Sequence, residues 1–278
     1  MMNYNMKIIE VKPQISNFVV VNGSEAWKEV VYSARMSGVP ESVKDEDVFK
    51  MIVENSYDSA LEHIIIKFDI KLSKGNSCEL LEHRLASHSG FSTRYCVAKN
   101  KESEYEIIIP THLLTKEQGV SKHMLEDGIN NGLNNYEYLI KEKVPREIAR
   151  YCLPFAQAVG IYHYTMNLRS LINFLSLRLC VRASPELRCL ASQLYFLLEK
   201  ELPIIENMIG CRGYMSRLCP ENFVTGYRIG KNMKCPFSNP HSKCFIPTRE
   251  QSSALTRGYL SEINKVQKIL YKQWASWE

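Results

Sequence analysis

The segment from Glu82 to Tyr95 is rich in side chains that bind anionic, ring-bearing ligands. Its fourteen residues read Glu-His-Arg-Leu-Ala-Ser-His-Ser-Gly-Phe-Ser-Thr-Arg-Tyr and include two arginines, two histidines and four serine or threonine hydroxyls. A guanidinium grips phosphate through two parallel hydrogen bonds, and short hydroxyls bond phosphate, ribose or a base edge. The composition predicts a ligand site, although a solvated loop with ordinary surface arginines explains the composition alone equally well.

The spacing within this segment favours the ligand site. His83-Arg84, seven further residues, Ser92 and then Arg94-Tyr95 resemble the Arg-His-Arg-x7-Ser signature of the flavin-dependent thymidylate synthases. Three residues depart from the fuller pattern of that family, Arg-His-Arg-x-x-Ser-x-Asn-Glu-x-Ser-x-Arg-Tyr. Glu82 stands where the family has its first arginine, and Ser89-Gly90 stands where it has Asn-Glu.

A second block further along the chain resembles the same family. It begins with Ala-Arg-x-x-Leu-Pro at 149–154, continues with Thr-x-Asn-x-Arg-x-Leu-x-Asn-Phe-x-x-Leu-Arg at 165–178, and closes with Ala-x-x-Glu-x-Arg at 183–188. Ten positions are in register: Arg150, Thr165, Asn167, Arg169, Asn173, Phe174, Arg178, Ala183, Glu186 and Arg188. The resemblance covers about Ala34 to Glu221 and ends on Cys219-Pro220-Glu221.

The residue pattern from 167 to 182 predicts a helix with two polar stripes among leucines. At ~100° per residue, Arg169 and Asn173 lie ~40° apart, and Asn167 and Arg178 are nearly aligned. One stripe is expected to face a ligand or another subunit. Snorkelling of both arginines to the surface is the alternative.

The resemblance implies reductive methylation of dUMP to dTMP, with FAD as hydride carrier, NADPH as reductant and methylenetetrahydrofolate as carbon donor. It makes Arg178 the catalytic residue, because a permanent positive charge at the uracil carbonyl edge stabilises charge at N3 and O2 and activates carbon 5. The substrate-binding residues that it implies are Ser92, Thr93, Arg94, Arg150 and Arg178. The cofactor-binding residues that it implies are Ser37, Ser59, His83, Arg84, Asn167, Arg169 and Asn173. Glu62-His63 also matches, either as a ligand contact or as a locally bonded pair.

The altered signature leaves two other functions open. Glu82 reverses a charge beside bound phosphates or flavin, and Gly90 removes a carboxylate, so the preferred pyrimidine could differ. One alternative is a flavin-dependent C5-methylase of UMP or dCMP. The other is a catalytically silent nucleotide-binding paralogue.

The resemblance implies an α+β fold with an antiparallel sheet flanked by helices, assembled as a homotetramer with shared active sites. The chain has 278 residues, 45% apolar and 23% charged, and no linker divides it, which predicts one catalytic domain over 1–224. An extension over 225–278 carries an apolar stripe at helical spacing. The net charge of +5 is spread along the chain, which favours small anionic ligands over nucleic acid.

The expected location is the cytoplasm, without a membrane partner. The N-terminus lacks a charged region followed by an apolar run, and no apolar stretch approaches the length of a membrane span. Nine cysteines, an odd number, indicate reduced thiols. No metal is predicted, because the spacing of Cys211, Cys219, Cys235 and Cys244 is too wide for a zinc knuckle.

Local patterns predict the elements that position these residues. Strands are expected at 6–12 and 64–72, and helices at 24–37, 45–55 and 77–86. Ser24 is the expected N-cap of the helix at 24–37, and Leu80, Leu81 and Leu85 are the expected buried stripe of the helix at 77–86. Asn130-Asn131-Gly132 and Asn134-Asn135 are expected to interrupt helical stretches between Lys116 and Glu142. Ser89-Gly90 is expected in a loop.

Overall fold

The computed structural model describes residues 6–109, 119–180, 183–206 and 208–212. The predicted C-terminal extension over 225–278, Cys219-Pro220-Glu221, Cys235 and Cys244 lie outside the described residues. Two compact units divide the described chain. The first comprises the described residues of Met1–Ser16, Asp69–His83 and His88–Tyr164, and the second those of Asn17–Phe68, Arg84–Ser87 and Thr165–Glu278. The prediction of one catalytic domain over 1–224 stays a prediction.

Helices and strands are mixed along the chain. The α-helices of the described residues are α1 Trp27–Met36, α2 Asp45–Glu54, α3 Asp58–Leu61, α4 Lys74–Leu81, α5 Gly119–Lys141, α6 Arg146–Ala149, α7 Leu168–Arg178 and α8 Pro185–Glu201. The strands are β1 Ile8–Glu10, β2 Gln14–Val20, β3 Ile65–Lys71, β4 Ala86–Gly90, β5 Tyr105–Ile107 and β6 Tyr162–Asn167. None of these helices is both long enough and apolar enough to cross a bilayer.

The larger sheet has four strands in the order β2-β3-β6-β4. The amide of Val21, just after β2, donates to the carbonyl of Ile65 at the start of β3 at 2.9 Å. The amide of Leu168, just after β6, donates to the carbonyl of Ile64 at 2.8 Å. The ends of β2 and β6 therefore lie beside the start of β3, so both strands run antiparallel to β3. The predicted antiparallel sheet is confirmed. A separate parallel pair of β1 and β5 was not predicted.

Strand β3 follows its sequence pattern. Ile66, Phe68 and Ile70 are buried, whereas Lys67 between them is exposed. Alternation with a period of two places these side chains on opposite faces of the strand. The predicted half-buried strand is confirmed.

Helix α1 ends at a glycine, as predicted. Gly38 has a φ of 97°, its amide donates to the Arg35 carbonyl at 2.9 Å, and the Val39 amide donates to the Ala34 carbonyl at 3.2 Å. A left-handed residue after the last turn closes a helix in this way, and glycine takes that conformation without strain. The prediction that Ser24 caps α1 was wrong, because Ser24 lies in a short 3₁₀ helix and Ala26 precedes α1 without a side-chain cap.

Helix α5 runs without interruption through the sequence expected to form turns. Its buried residues Ile129, Leu133 and Tyr136 recur at helical spacing. Burial of this stripe outweighs the weak helix preference of the asparagines and of Gly132. The predicted break was wrong for that reason.

The first signature block crosses from a helix end onto a strand. Helix α4 stops at Leu81, and β4 contains Ser89 and Gly90, so the loop predicted there was wrong. Leu80 is buried as predicted, but Leu81 is 38% exposed and Leu85 is 70% exposed. The local pattern missed β4 because its ladder partner β6 lies far along the chain.

Candidate functional site

The predicted site residues fall into two groups, each within one unit. The first unit holds His83, Ser92, Thr93, Arg94 and Arg150. The second unit holds Ser37, Ser59, Arg84, Asn167, Arg169, Asn173 and Arg178.

In the first unit, the two predicted phosphate-binding arginines lie beside the same short helix. The guanidinium of Arg94 is 3.6 Å from the carboxylate of Glu147 on α6, and both side chains are more than half exposed. Arg150 directly follows α6 in a 3₁₀ helix and is exposed. Both guanidinium groups are therefore accessible to an anion from solvent.

The segment that carries Ser92, Thr93 and Arg94 is fixed by hydrogen bonds. The Ser92 carbonyl accepts from the amides of Tyr95 at 3.2 Å and of Cys96 at 3.0 Å. Arg146 on α6 donates to the Tyr95 carbonyl at 2.9 Å. These bonds hold the short turn against α6, which preorganises its hydroxyls and its arginine.

In the second unit, Arg169 forms ion pairs with the acidic residues on either side of Ser59. Its Nη1 donates to the carboxylate of Glu62 at 2.5 Å, and its Nε lies 3.9 Å from the carboxylate of Asp58. The hydrogen bond with Glu62 raises the pKa of the Arg169 guanidinium. Ser59 lies between the two acids on α3 and is exposed. The carboxylates fix the direction of the Arg169 fork and leave some of its five donors for a ligand.

The role of Asp58 was missed from the sequence, although a signal existed. Asp58 and Glu62 are four residues apart, which places their side chains on one side of a helical turn. Two acidic residues at this spacing, one on either side of Ser59, indicate that a basic side chain is held between their carboxylates. The partner is Arg169, which lies far along the chain.

Asn167 has a structural task in addition to its predicted role. Its side-chain oxygen accepts from the Ser170 amide at 2.8 Å and so caps α7. An asparagine at this position satisfies a backbone donor that the first helical turn leaves without a partner. Only its amide nitrogen is left as a donor toward a cofactor.

Of the two polar stripes predicted for α7, one is exposed and the other, formed by Asn167 and Arg178, is half-buried. Arg169 and Asn173 are exposed, whereas Leu171 and Phe174 are buried. Arg178, the last residue of α7, is half-buried. A half-buried guanidinium attracts a nearby negative charge more strongly than a fully solvated one does, because the surrounding dielectric constant is lower.

The remaining predicted cofactor residues lie at element ends. Ser37 is exposed directly after α1, and its hydroxyl donates to the Ser33 carbonyl at 3.4 Å. Its neighbour Arg35 donates to the Val43 carbonyl at 2.6 Å and the Asp45 carboxylate at 2.7 Å. Arg35 therefore braces the loop that follows Ser37. His83 is half-buried and Arg84 is exposed, both just before β4.

Two of the three departures from the signature, Glu82 and Gly90, have different surroundings. Glu82 is exposed at the end of α4 and makes no ion pair within the described part of the chain. At Gly90, an added Cβ would lie 2.4 Å from ring carbons of Tyr162. A side chain at position 90 therefore has no room in this structure, whereas position 82 accepts any side chain sterically.

The donor chemistry of the second unit fits a flavin nucleotide. Guanidinium groups of Arg84 and Arg169, the amide of Asn173 and the hydroxyls of Ser37 and Ser59 all reach the surface. Such donors suit a pyrophosphate and the carbonyl edge of a ring. Among the described residues, no group of three or more His, Cys, Asp or Glu side chains could hold a metal ion.

Comparison with solved structures identifies the fold. The chain superposes on the crystal structure of a UMP/dUMP methylase, PolB, from Streptomyces cacaoi bound with 5-Br dUMP, with a TM-score of 0.61 and 21% sequence identity. The superposition covers 72% of this chain and 96% of that one. At this identity, the likeness concerns the fold.

Comparison with curated proteins points to one group of relatives. A flavin-dependent thymidylate synthase of Saccharolobus solfataricus is 39% identical over 138 residues, which cover 49% of this chain and 50% of the relative. Another, from Sulfurisphaera tokodaii, is 34% identical over 173 residues, which cover 61% of this chain and 65% of the relative. The chain thus spans between half and two thirds of the length of these two relatives.

The family model described as "Thymidylate synthase complementing protein" matches residues 19–204. This range includes both signature blocks and makes up more than half of the 278 residues. The chain therefore belongs to the thymidylate synthase complementing protein family.

Proposed function

We propose that this chain is a flavin-dependent methyltransferase that converts dUMP to dTMP. The observation that carries the proposal is the family match over residues 19–204, which contains both arginine-rich blocks. Relatives named flavin-dependent thymidylate synthase support the same chemistry. In this reaction, the hydrogen on carbon 5 of uracil is replaced by a methyl group.

Methylenetetrahydrofolate supplies the carbon, and a hydride from NADPH reduces the transferred methylene to methyl. The folate then leaves as tetrahydrofolate, because the two electrons do not come from the folate itself. Bound FAD would supply the hydride-carrying chemistry between the reductant and the methylene. The protein binds and orients these molecules and polarises the uracil.

The nucleotide phosphate is assigned to the residues beside α6. Arg94 and Arg150 supply guanidinium groups beside α6, and Ser92 and Thr93 supply short donors on the fixed turn. Bidentate, charge-assisted hydrogen bonds to phosphate are among the strong ones. Under the proposal, this combination favours a nucleotide over a nucleoside.

Arg178 is assigned to the uracil. Its permanent charge at the O2 and N3 edge stabilises the negative charge that develops as carbon 5 attacks the one-carbon unit. The half-buried position of Arg178 supports this role, because partial exclusion of water strengthens an electrostatic interaction.

The flavin is assigned to hydrogen-bond donors just after α1, on α3, between α4 and β4, and at the start and along the exposed face of α7. Ser37, Ser59, His83 and Arg84 would hold it together with Asn167, Arg169 and Asn173. The clasp of Asp58 and Glu62 on Arg169 supports the assignment, because it holds the arginine in one direction. The amide nitrogen of Asn167 is the donor left after capping.

A homotetramer with shared sites is part of the proposal. Tyr95, Tyr151 and Phe155 are 73%, 85% and 74% exposed, close along the chain to Arg94 and Arg150. Each of these exposed aromatic side chains offers apolar surface that a neighbouring subunit can cover. Light scattering coupled to size-exclusion chromatography tests the assembly, and a monomer at assay concentration would contradict it.

The test of the reaction uses purified protein with FAD, NADPH, methylenetetrahydrofolate and dUMP. We expect dTMP to form only when all four are present. The Arg178→Ala variant should retain FAD binding and lose turnover. Turnover by that variant at the wild-type rate would contradict the role of Arg178, and no dTMP from the wild type would contradict the reaction.

A methylase that also accepts UMP is the second candidate. The specific observation is that Gly90, one of the departures from the signature, is fitted to the ring of Tyr162, whereas Glu82 presents a carboxylate at the surface where the family has an arginine. The solved relative of the same fold is named a UMP/dUMP methylase. Under this candidate, Glu82→Arg shifts the ratio of UMP to dUMP turnover, whereas equal kinetics in both proteins would exclude a role for Glu82 in substrate choice.

A further inference from the structure

The first unit contains a cavity of about 610 Å³ that none of the assigned site residues lines. Its walls come mainly from residues 96–102 and 158–161. Small-molecule sites commonly enclose about 300–1,000 Å³, so the volume suits a ligand of moderate size.

The walls of the cavity are mostly apolar. Ala98 and Ala158 are buried and line it, and their small side chains leave its interior open. The larger apolar side chains of the lining are Phe91, Val97, Val159 and Ile161. A ligand that removes this apolar surface from water gains free energy in proportion to the area covered.

The lysines inside the cavity are neutralised by the protein itself. Lys71 donates to both carboxylate oxygens of Glu106 at 2.8 Å. Lys99 forms an ion pair with Glu137 and lies over the ring of Tyr105, 4.9 Å from its centre. Neither ammonium group therefore requires a negative charge from a ligand.

The charges at the rim also balance. Lys101 and Glu102 are neighbours in the chain, both are exposed, and both line the cavity with opposite charges. Together with Glu137, the charged side chains of the lining are three of each sign. A phosphate or carboxylate would lose hydration in this cavity without meeting an uncompensated positive charge, so the lining favours an uncharged ligand.

The side-chain amide of the lining is already hydrogen-bonded. The side-chain oxygen of Asn100 accepts from the amides of Glu102 at 3.1 Å and Glu104 at 2.8 Å. Its nitrogen donates to the Glu104 carboxylate at 3.0 Å. An apolar ligand therefore fills the cavity without leaving the Asn100 side chain unsatisfied.

Hydrogen bonds hold the floor of the cavity in place. The Ala98 amide donates to the Tyr136 hydroxyl at 3.2 Å, and the Ala98 carbonyl accepts from Gln157 at 2.7 Å. Tyr136 and Gln157 are themselves buried. A floor fixed in this way binds a ligand with little ordering cost.

We propose that this cavity binds an uncharged aromatic ligand. Phe91 favours a ring over a hydrocarbon chain, because a second aromatic ring that packs on it adds about 0.5–1.5 kcal/mol beyond its buried area. The inference goes beyond the proposed function and does not depend on it, since the nucleotide, flavin, folate and NADPH of that reaction are all anionic.

The test compares two fluorescent probes with the same rings in titrations of the full-length protein. N-phenyl-1-naphthylamine is neutral, and 8-anilino-1-naphthalenesulfonate carries a sulfonate in addition. We expect saturable binding of the neutral probe and binding of the sulfonate that is about tenfold weaker or more. Absence of saturable binding of the neutral probe, or equal affinity for the two probes, would overturn the proposal.

A filled cavity should not bind the neutral probe. Val159→Trp should abolish binding, because the indole occupies the space between the walls. Val120→Trp is the control, since it adds the same ring at a residue that is 80% exposed on α5. Equal affinity in the two variants would place the probe elsewhere and overturn the proposal.

A charge change at the rim should leave the affinity for the neutral probe within about twofold of the wild type, because an uncharged ligand has no charge to pair with Lys101. Lys101→Glu makes this change, and Lys50→Glu makes it on α2, away from the lining. A loss of affinity in Lys101→Glu alone would show that charge selects the ligand and would contradict the uncharged class.

Cys96 reports occupancy in the wild-type protein, so the test does not depend on the folding of a variant. Its thiol is exposed and lines the cavity, whereas Cys78 is exposed on α4 and is not part of the lining. A saturating neutral probe should slow alkylation of Cys96 by N-ethylmaleimide about fivefold or more and leave Cys78 unchanged, as followed by peptide mass spectrometry. An unchanged rate at Cys96 would overturn the proposal.

Discussion

The ring of Tyr162 on β6 covers Gly90 on β4, so closely that a Cβ on Gly90 would lie 2.4 Å from two ring carbons. In the neighbouring pair the aromatic residue follows β4 and the glycine precedes β6. Phe91 lies against Gly160, whose φ is 69°. Aromatic rings laid over glycines fix the register of adjacent strands. The glycine that breaks the family signature is therefore required by its packing.

Gly90→Glu should destabilise the protein by about 1–3 kcal/mol, because the new side chain displaces the Tyr162 ring. Urea denaturation measures the change. Gly128→Glu is the control, since nothing lies within 4 Å of a Cβ at that position. Adding Tyr162→Ala to Gly90→Glu should restore part of the loss, and strictly additive effects would contradict the contact.

Two glycines of α5 should respond to alanine with opposite signs. At Gly132 a Cβ would lie 2.7 Å from the Cys152 carbonyl oxygen, so Gly132→Ala forces the backbone apart and destabilises. At exposed Gly128 a Cβ meets nothing, and Gly128→Ala should stabilise by about 0.5–1 kcal/mol through helix preference. Thermal unfolding of both variants checks this, and equal shifts of Tm would disprove the close approach at Gly132.

Arg169→Ala should weaken FAD binding about tenfold or more, because a hydrogen bond to a charged group contributes roughly 1.5–3 kcal/mol. Its ion pairs with Glu62 and Asp58 are exposed, so the free energy of unfolding should change by less than about 1 kcal/mol. Titration of FAD followed by flavin fluorescence gives the affinity. Lys50→Ala is the control, and wild-type affinity in Arg169→Ala would remove this arginine from the cofactor site.

Arg150→Ala should raise the KM for dUMP about 10- to 100-fold and leave the KM for deoxyuridine unchanged, because deoxyuridine lacks the phosphate. Steady-state kinetics with both substrates separates phosphate binding from a general loss of structure. Lys122→Ala changes a basic residue on α5 and should leave both KM values as they are. Equal losses for the two substrates would assign Arg150 to another role.

Sequence periodicity predicted the elements whose burial is decided locally. The alternation of Ile66, Lys67 and Phe68 gave β3, and the signature spacings gave the family. Contacts between residues that are far apart along the chain could not be predicted from sequence periodicity. The helical course of α5 past Gly132 depends on the burial of Ile129 and Tyr136, and the clasp of Asp58 on Arg169 joins segments far apart in the chain.

The same limit applies to β4. Most of its residues are polar and exposed, and its strand character comes from pairing with β6 and from Tyr162 over Gly90. A polar segment whose strand conformation depends on a partner strand shows no alternation of apolar and polar residues, so the strand cannot be predicted from its sequence.

The most direct measurement of the central claim is mass spectrometry of both products after incubation with FAD, NADPH, methylenetetrahydrofolate and equimolar dUMP, UMP and dCMP. The proposed function predicts that dUMP alone gains the methyl group and that tetrahydrofolate appears in equal amount. Dihydrofolate as the folate product, or methylation confined to UMP or dCMP, would contradict it.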